Sequence, residues 1–219
     1  MMMESSSEHA PEDVILGTNV VLGKYVLLGI IPTKVPPARK LEIGDNSIIR
    51  SHTVIYAGNK IGKNFQTGHG VMIRENNIIG DNVSIGTHSI IERDNHIGNG
   101  VRIHSNCFVP EFIEIKDKAW IGPGVTILNV LHPPCPKFEE CAKGIVIGEN
   151  VKIGGNVTLG PRIKIGKNAL IGFGSVVTQD IPENAVAYGS PASVKKEIKD
   201  LNCILEYFNT PYEWEAANK

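Results

Sequence analysis

The sequence predicts an all-β fold: a left-handed parallel β-helix of about eight coils, with two protruding loops and a C-terminal α-helix. Two observations predict it. An aliphatic residue recurs at every sixth position, and the places after it are rich in Gly, Asn and Asp. Cut from Leu41, the chain reads LEIGDN, SIIRSH, TVIYAG, NKIGKN, FQTGHG, VMIREN and onward in sixes, with the third place aliphatic except at Thr67. Ile43 to Ile127 is 84 residues, fourteen steps of six without a slip. A helix cannot keep apolar residues on one face at a period of six, and a sandwich would not hold phase so long. Right-handed β-helices have longer, irregular coils.

Each hexad supplies a short flat strand whose third residue points inward, and Gly, Asn or Asp then lets the chain turn a corner. Three hexads close a triangular coil, and coils stack at about 4.8 Å, the spacing between strands. The phase returns after a break as IVIGEN, VKIGGN, VTLGPR, IKIGKN, ALIGFG and SVVTQD, and VILGTN, VVLGKY and VLLGII precede Leu41. These 24 hexads make eight coils. The expected organisation is an N-terminal tail (1–13), a β-helix domain (14–191) and a C-terminal helix and tail (192–219). In the last, Val194, Ile198, Leu201, Ile204 and Leu205 share one side and would cap the open end of the prism.

Lysine plus arginine (22) nearly balances aspartate plus glutamate (23), which gives no reason to expect nucleic acid or an anionic membrane. The first residues, MMMESSSEHAPEDV, lack the basic and apolar regions of a secretory signal, and no apolar run approaches the roughly 20 residues that span a bilayer. The expectation is a cytoplasmic protein with reduced thiols, since four cysteines are too few for a disulfide scaffold in a chain this long. Cys107, at the first place of its hexad, is expected in the core.

Strict phase assigns every hexad to a face. Ile43, Ile61, Ile79, Ile97 and Ile115 stack on the first face. Ile49, Thr67, Ile85, Ile103 and Ile121 form the second, and Ile55, Ile73, Ile91, Val109 and Ile127 the third. The place after the aliphatic residue is mostly Gly on the first face. On the third it reads Tyr56, Arg74, Glu92, Pro110, Leu128, and the next place adds Glu75, Arg93 and Glu111. Both breaks in the repeat, 31–40 and 131–144, follow third-face hexads, so both loops leave one corner and bracket this polar column. Loops on a rigid solenoid are where function concentrates. Arg74, Glu92 and Arg93 as plain ladder ion pairs are the competing reading.

From 14 to 198 the chain resembles the hexapeptide-repeat acyltransferases. The loop with LHP, the coils after it and SVVTQDIPENAVAYGSPASVKKEI resemble the galactoside and maltose acetyltransferases. Their loop carries a catalytic His followed by Pro, matched by His132 and Pro133. Their terminal G-N-P-A-K/R is matched by Gly189, Ser190, Pro191 and Ala192. Ser193 replaces the basic residue, a phosphate contact that Lys195 or Lys196 would have to supply. FQTGHGVMIRENNIIGDNVSIGTH and LHPPCPKFEEC look more like the N-acyltransferases that act on nucleotide-linked amino sugars for surface polysaccharides. The resemblance implies an acyl-CoA co-substrate (acetyl-CoA or another short acyl-CoA), a homotrimer with active sites between neighbouring prisms, and a pantetheine path past Asn156, Gly172 and Ser175. No resident metal is expected.

Acyl transfer from a thioester needs a held nucleophile, a proton acceptor and a donor for the oxyanion. His132 and Glu92 are the candidate catalytic residues, and His69, Arg74, Glu75 and Tyr56 the candidate substrate-binding ones. Arg74, with Lys34, Arg39 and Lys40 of the first loop, could pair with a nucleotide diphosphate. His132, Cys135 and Cys141 invite a zinc reading but lack a fourth ligand and tight C-x2-C spacing. The γ-class carbonic anhydrases share the fold but need two histidines five residues apart, and no such pair exists here. A stacked His52–His88 pair is two coils apart. O-acetylation of a sugar or serine hydroxyl, and a non-enzymatic β-helix scaffold, are the alternatives.

Overall fold

A computed structural model describes residues 13–33, 40–142, 144–204, 206–208 and 210–212. Three sheets of eight, ten and eight strands form the sides of a left-handed prism. The strands are mostly two residues long and pair in parallel with those one coil away, so Ile61 lies beside Ile43 and Ile79, Ile85 beside Ile103, and Ile91 beside Ile73 and Val109. These pairings reproduce the three faces that the phase of six assigns. Leu28 pairs with Ile55 on the third sheet, so the loop after it and the loop after Thr126–Ile127 do leave the same side. Lys34 and Arg39 lie outside the described residues; Lys40 is exposed.

The corner has one chemical cause. From Asn46 to Gly124 the sixth residue of every hexad has φ between 56° and 83°, in the left-handed region, and Asn150, Asn156, Arg162, Asn168 and Gly174 continue the series. Asn and Gly enter this region at little cost, whereas other side chains pay about 1–2 kcal/mol. Arg162, at φ 65°, is one exception and is exposed. Arg162→Asn is therefore expected to stabilise the chain by about 1 kcal/mol, seen as a higher denaturant midpoint at unchanged slope. An unchanged midpoint would mean the arginine carries no strain.

Inside, from Leu41 onward, both the first and the third residue of each hexad are buried, so two columns per face fill the prism. Leu41, Phe65, Ile91, Ile121 and Ile153 are fully enclosed, and Cys107 joins them, its Sγ donating to Gly122 O at 3.2 Å. Each such aliphatic side chain contributes roughly 1.5–3 kcal/mol by leaving water. Thr67 fits because its Oγ1 accepts the Arg50 backbone N–H at 2.9 Å and lies 3.2 Å from Thr53 Oγ1. The first-place residues Asn59, Asn77 and Asn95 form a buried ladder at the corner between the third and first faces. Asn59 Oδ1 accepts the Asn77 N–H and Asn77 Oδ1 the Asn95 N–H, each at 2.9 Å.

The expected C-terminal helix is a strand instead. Ala192–Glu197 pairs antiparallel with Ala185–Gly189, the last parallel strand of the second sheet, and a 3-10 turn follows at Ile198–Asp200. An unpaired sheet edge needs hydrogen-bond partners, and that demand overrides the helical spacing of Val194, Ile198 and Leu201. Leu205 lies outside the described residues. The short helix among the described residues is Phe138–Cys141, in the second loop. There Cys135 and Cys141 form a disulfide, so the expectation of reduced thiols fails for this pair. Cys107 and Cys203 are not part of this disulfide. No described helix is long and apolar enough to cross a membrane.

Candidate active site

The third-face column exists as a cluster. The asparagine ladder holds its backbone: Asn59 Nδ2 donates to Tyr56 O and Arg74 O, Asn77 Nδ2 to Arg74 O, and Asn95 Nδ2 to Glu92 O, at 2.7–2.8 Å. Arg74 is gripped from below by Glu75, Nε to Oε2 at 2.9 Å and Nη2 to Oε1 at 3.1 Å, while its guanidinium lies 4.9 Å from the centre of the Tyr56 ring. Its Nη1 is 3.7 Å from Glu92 Oε2. Glu75 is fully buried, so it orients Arg74 and meets no substrate itself.

Glu92, with 23% of its side chain exposed, faces outward. Burial pushes its carboxyl above the usual carboxylate range; Arg74 pulls the other way, and Glu111 and Glu75 push up again. Arg93 bonds Asp94 and Glu139 and lies 4.9 Å from the Phe112 ring centre, which ties the loop helix to the coil. The corner thus carries five carboxylates (Glu75, Glu92, Asp94, Glu111, Glu139) against two guanidiniums. Arg74, spent on Glu75 and Glu92, is poorly placed to take a diphosphate, which corrects the expectation for it. His132 is exposed in the loop between Ile127 and the disulfide.

His69 is not part of this cluster. It stands on the corner between the second and third faces, five residues before Arg74, with Nδ1 2.9 Å from Ser51 Oγ and its backbone N–H on Thr87 Oγ1. His52 Nδ1 reaches the same Ser51 hydroxyl at 3.1 Å and its ring lies 5.0 Å from Tyr25. His88 packs over Gly70, where a Cβ would come within 2.7 Å of its ring. Among the described residues no group of three His, Cys, Asp or Glu could hold a metal ion.

Of the coenzyme candidates, Asn156 and Gly172 lie along the second-face corner. Lys195 stands beyond them, its Nζ 5.6 Å from the Tyr188 ring centre, and a Cβ on Gly172 would strike Tyr188. Ser175 points inside the prism, 1% exposed, donating to Gly172 O at 2.6 Å and accepting from Gly189 N, so it cannot line a pantetheine path. Sequence reasoning missed the ladder asparagines and Arg50, Arg102 and His104 on the second face. The step of 18 between Asn59, Asn77 and Asn95 was the signal for the first group.

Residues 144–179 match the family model described as bacterial transferase hexapeptide (six repeats). Over these residues the repeat is similar to that of the hexapeptide transferases. Among curated relatives, this hexapeptide-repeat chain is 35% identical over 92 residues to a galactoside O-acetyltransferase of Lactococcus lactis subsp. lactis (strain IL1403), covering 40% of this chain and 44% of that one. It is 35% identical over 109 residues to a galactoside O-acetyltransferase of Escherichia coli (strain K12), covering 48% and 53%. The chain therefore spans about half the length of these relatives. Among solved structures, an Arabidopsis UDP-N-acetylglucosamine acyltransferase superposes with a TM-score of 0.50 at 18% identity, covering 85% of this chain and 71% of that one, a likeness of fold.

Proposed function

We propose that the chain is an acyl-CoA-dependent N-acyltransferase, moving an acetyl or other short acyl group to the amine of a nucleotide-linked amino sugar in surface polysaccharide synthesis. The charge of the third-face corner carries this reading. A half-buried carboxylate at the mouth of an acidic cluster attracts an ammonium, receives its proton and holds the free amine for attack. The amine nitrogen then bonds to the thioester carbonyl. Glu92, having passed that first proton to solvent, takes the second proton from the nitrogen of the tetrahedral adduct, and collapse of the adduct breaks the C–S bond and expels the CoA thiolate, which receives that proton from Glu92. A hydroxyl, far less acidic, would call for an imidazole.

Homotrimer assembly is part of the proposal. The outward places of the third face are apolar, Leu27, Val54, Met72, Ile90 and Phe108, with Leu27 45% and Met72 37% exposed. A second copy packing there would cover this stripe. The two curated relatives described above, named galactoside O-acetyltransferases, support acyl transfer and favour a second reading, O-acetylation with His132 as base.

The deciding experiment follows thiol release from acetyl-CoA with UDP- and dTDP-linked amino sugars beside plain galactosides and serine, on protein checked for the mass of three chains. Turnover with a nucleotide amino sugar is the expected result. Turnover with hydroxyl acceptors alone would replace it by the second reading, and silence with no CoA binding would leave a scaffold.

A further inference from the structure

The second face holds a groove that no function above uses. It has a volume of about 330 Å³, within the range of small-molecule sites, and Arg50, His69, Arg102 and His104 line it with Gly68 and Gly86 as its bare floor. No carboxylate lines it, and among the described residues neither arginine is ion-paired. The hollow on the first face, by contrast, is lined by Glu114, Asp117 and Glu149 beside Lys116. Arg50 is held in place, its Nη1 donating to Thr67 O at 2.6 Å, which leaves the other edge of the guanidinium available. His104 rests 4.5 Å from the Trp120 ring, and its Nε2 is the one buried side-chain nitrogen or oxygen without a hydrogen-bond partner among the described residues. Two guanidiniums gathered without an acid repel one another, and an anion would relieve that.

We infer that this groove seats the diphosphate of the acceptor nucleotide, with Arg50 and Arg102 as its charge-assisted donors and the amine on Glu92 of a neighbouring prism in the proposed trimer. The inference rests on the nucleotide-sugar reading and moves the diphosphate from Arg74, which Glu75 already occupies, to the second face. The coenzyme also carries a diphosphate. The groove, however, runs between the strands Ile48–Ile49 and Arg102–Ile103, whereas Gly172 and Lys195 stand three or more coils further on, about 14 Å at the spacing of strands. Glycine at 68 and 86 keeps the floor low: a Cβ at Gly68 would lie 2.2 Å from Thr87 N, and one at Gly86 2.3 Å from Ser105 N.

The test is calorimetric titration of UDP, dTDP, GDP and CDP, and separately of CoA, into the wild type, Arg50→Gln, Arg102→Gln and Arg102→Lys. Unfolding curves would establish that each variant is folded. For whichever nucleotide the wild type binds, each glutamine variant is expected to bind about tenfold or more weakly, Arg102→Lys to recover part of the loss, and CoA affinity to stay unchanged. Loss of CoA affinity with nucleotide affinity intact would overturn the assignment in favour of the coenzyme. Unchanged affinity for both, in a protein whose wild type binds a nucleotide, would overturn the placement alone. A wild type that binds none of the four nucleotides yet acylates plain sugars would overturn the nucleotide-sugar reading and this inference with it.

Discussion

Glu92→Gln is expected to lower kcat/KM for the amine acceptor by about 100-fold or more, the scale of a lost general base, while making the folded chain more stable at neutral pH. The two effects share a cause. Burial raises the folded-state pKa of Glu92 above its unfolded value, and Glu111 and Glu75 add to the rise against the pull of Arg74. A carboxyl with a raised folded pKa binds more protons folded than unfolded. Its contribution to stability is full below the unfolded pKa and is lost as pH climbs through the folded one. At neutral pH the wild type therefore holds a charge its surroundings disfavour, and the neutral amide removes that penalty. The stability gap should close as pH falls below about 4, where the carboxyl is protonated in both states.

The same shift sets the rate profile. The base works only when ionised, so the acid limb of kcat/KM should lie above the ordinary glutamate range and vanish in Glu92→Gln. A variant less stable than wild type at pH 7 would make Glu92 a plain ladder ion pair with Arg74. One that keeps kcat and loses only KM would make it a binding group. A stabilising substitution that abolishes turnover is what a group retained for chemistry predicts.

Much of this was legible in the chain. The phase of six alone placed Arg74 and Glu92 on one column and sent both loops from one side, because a rigid period of 18 residues per coil leaves no freedom in which side chains stack. Two kinds of fact lay outside its reach. The period fixes the direction of the first three places of a hexad but not of the fifth: Asp45, Lys63 and Asp117 are exposed there, whereas Ala57 and Glu75 are buried at the third-face corner. That difference turned Glu75 from a substrate contact into the support of Arg74. Where the period stops, local patterns compete with long-range demand, so 192–197 pairs with an open edge despite its helical spacing, and Cys135 meets Cys141 in a loop no repeat describes. His69 was legible as a corner residue, but the width of a face keeps it away from Glu92 within one prism.

The asparagine ladder gives the second large effect, on stability. Asn77→Leu keeps the branching and the number of heavy atoms and removes all the polar atoms of a fully buried side chain. Two of its neighbours stay satisfied: Arg74 O still accepts from Asn59 Nδ2, and Asn59 Oδ1 still accepts the backbone N–H of residue 77. The Asn95 N–H does not, since Asn77 Oδ1 is the acceptor that meets it at 2.9 Å inside the prism. One orphaned buried donor costs about 1–3 kcal/mol, and the branched side chain must also fit between Asn59 and Asn95. The expected loss is about 3 kcal/mol in denaturant unfolding, several times what a surface change produces. The loss should travel with a fall in kcat larger than that in kcat for Asn168→Ala, a half-buried corner residue far from the column, because Asn77 holds the backbone on which Arg74 faces Glu92. A stability change below about 1 kcal/mol would mean that water enters the prism to replace the amide, and the ladder would then have no part in setting the column.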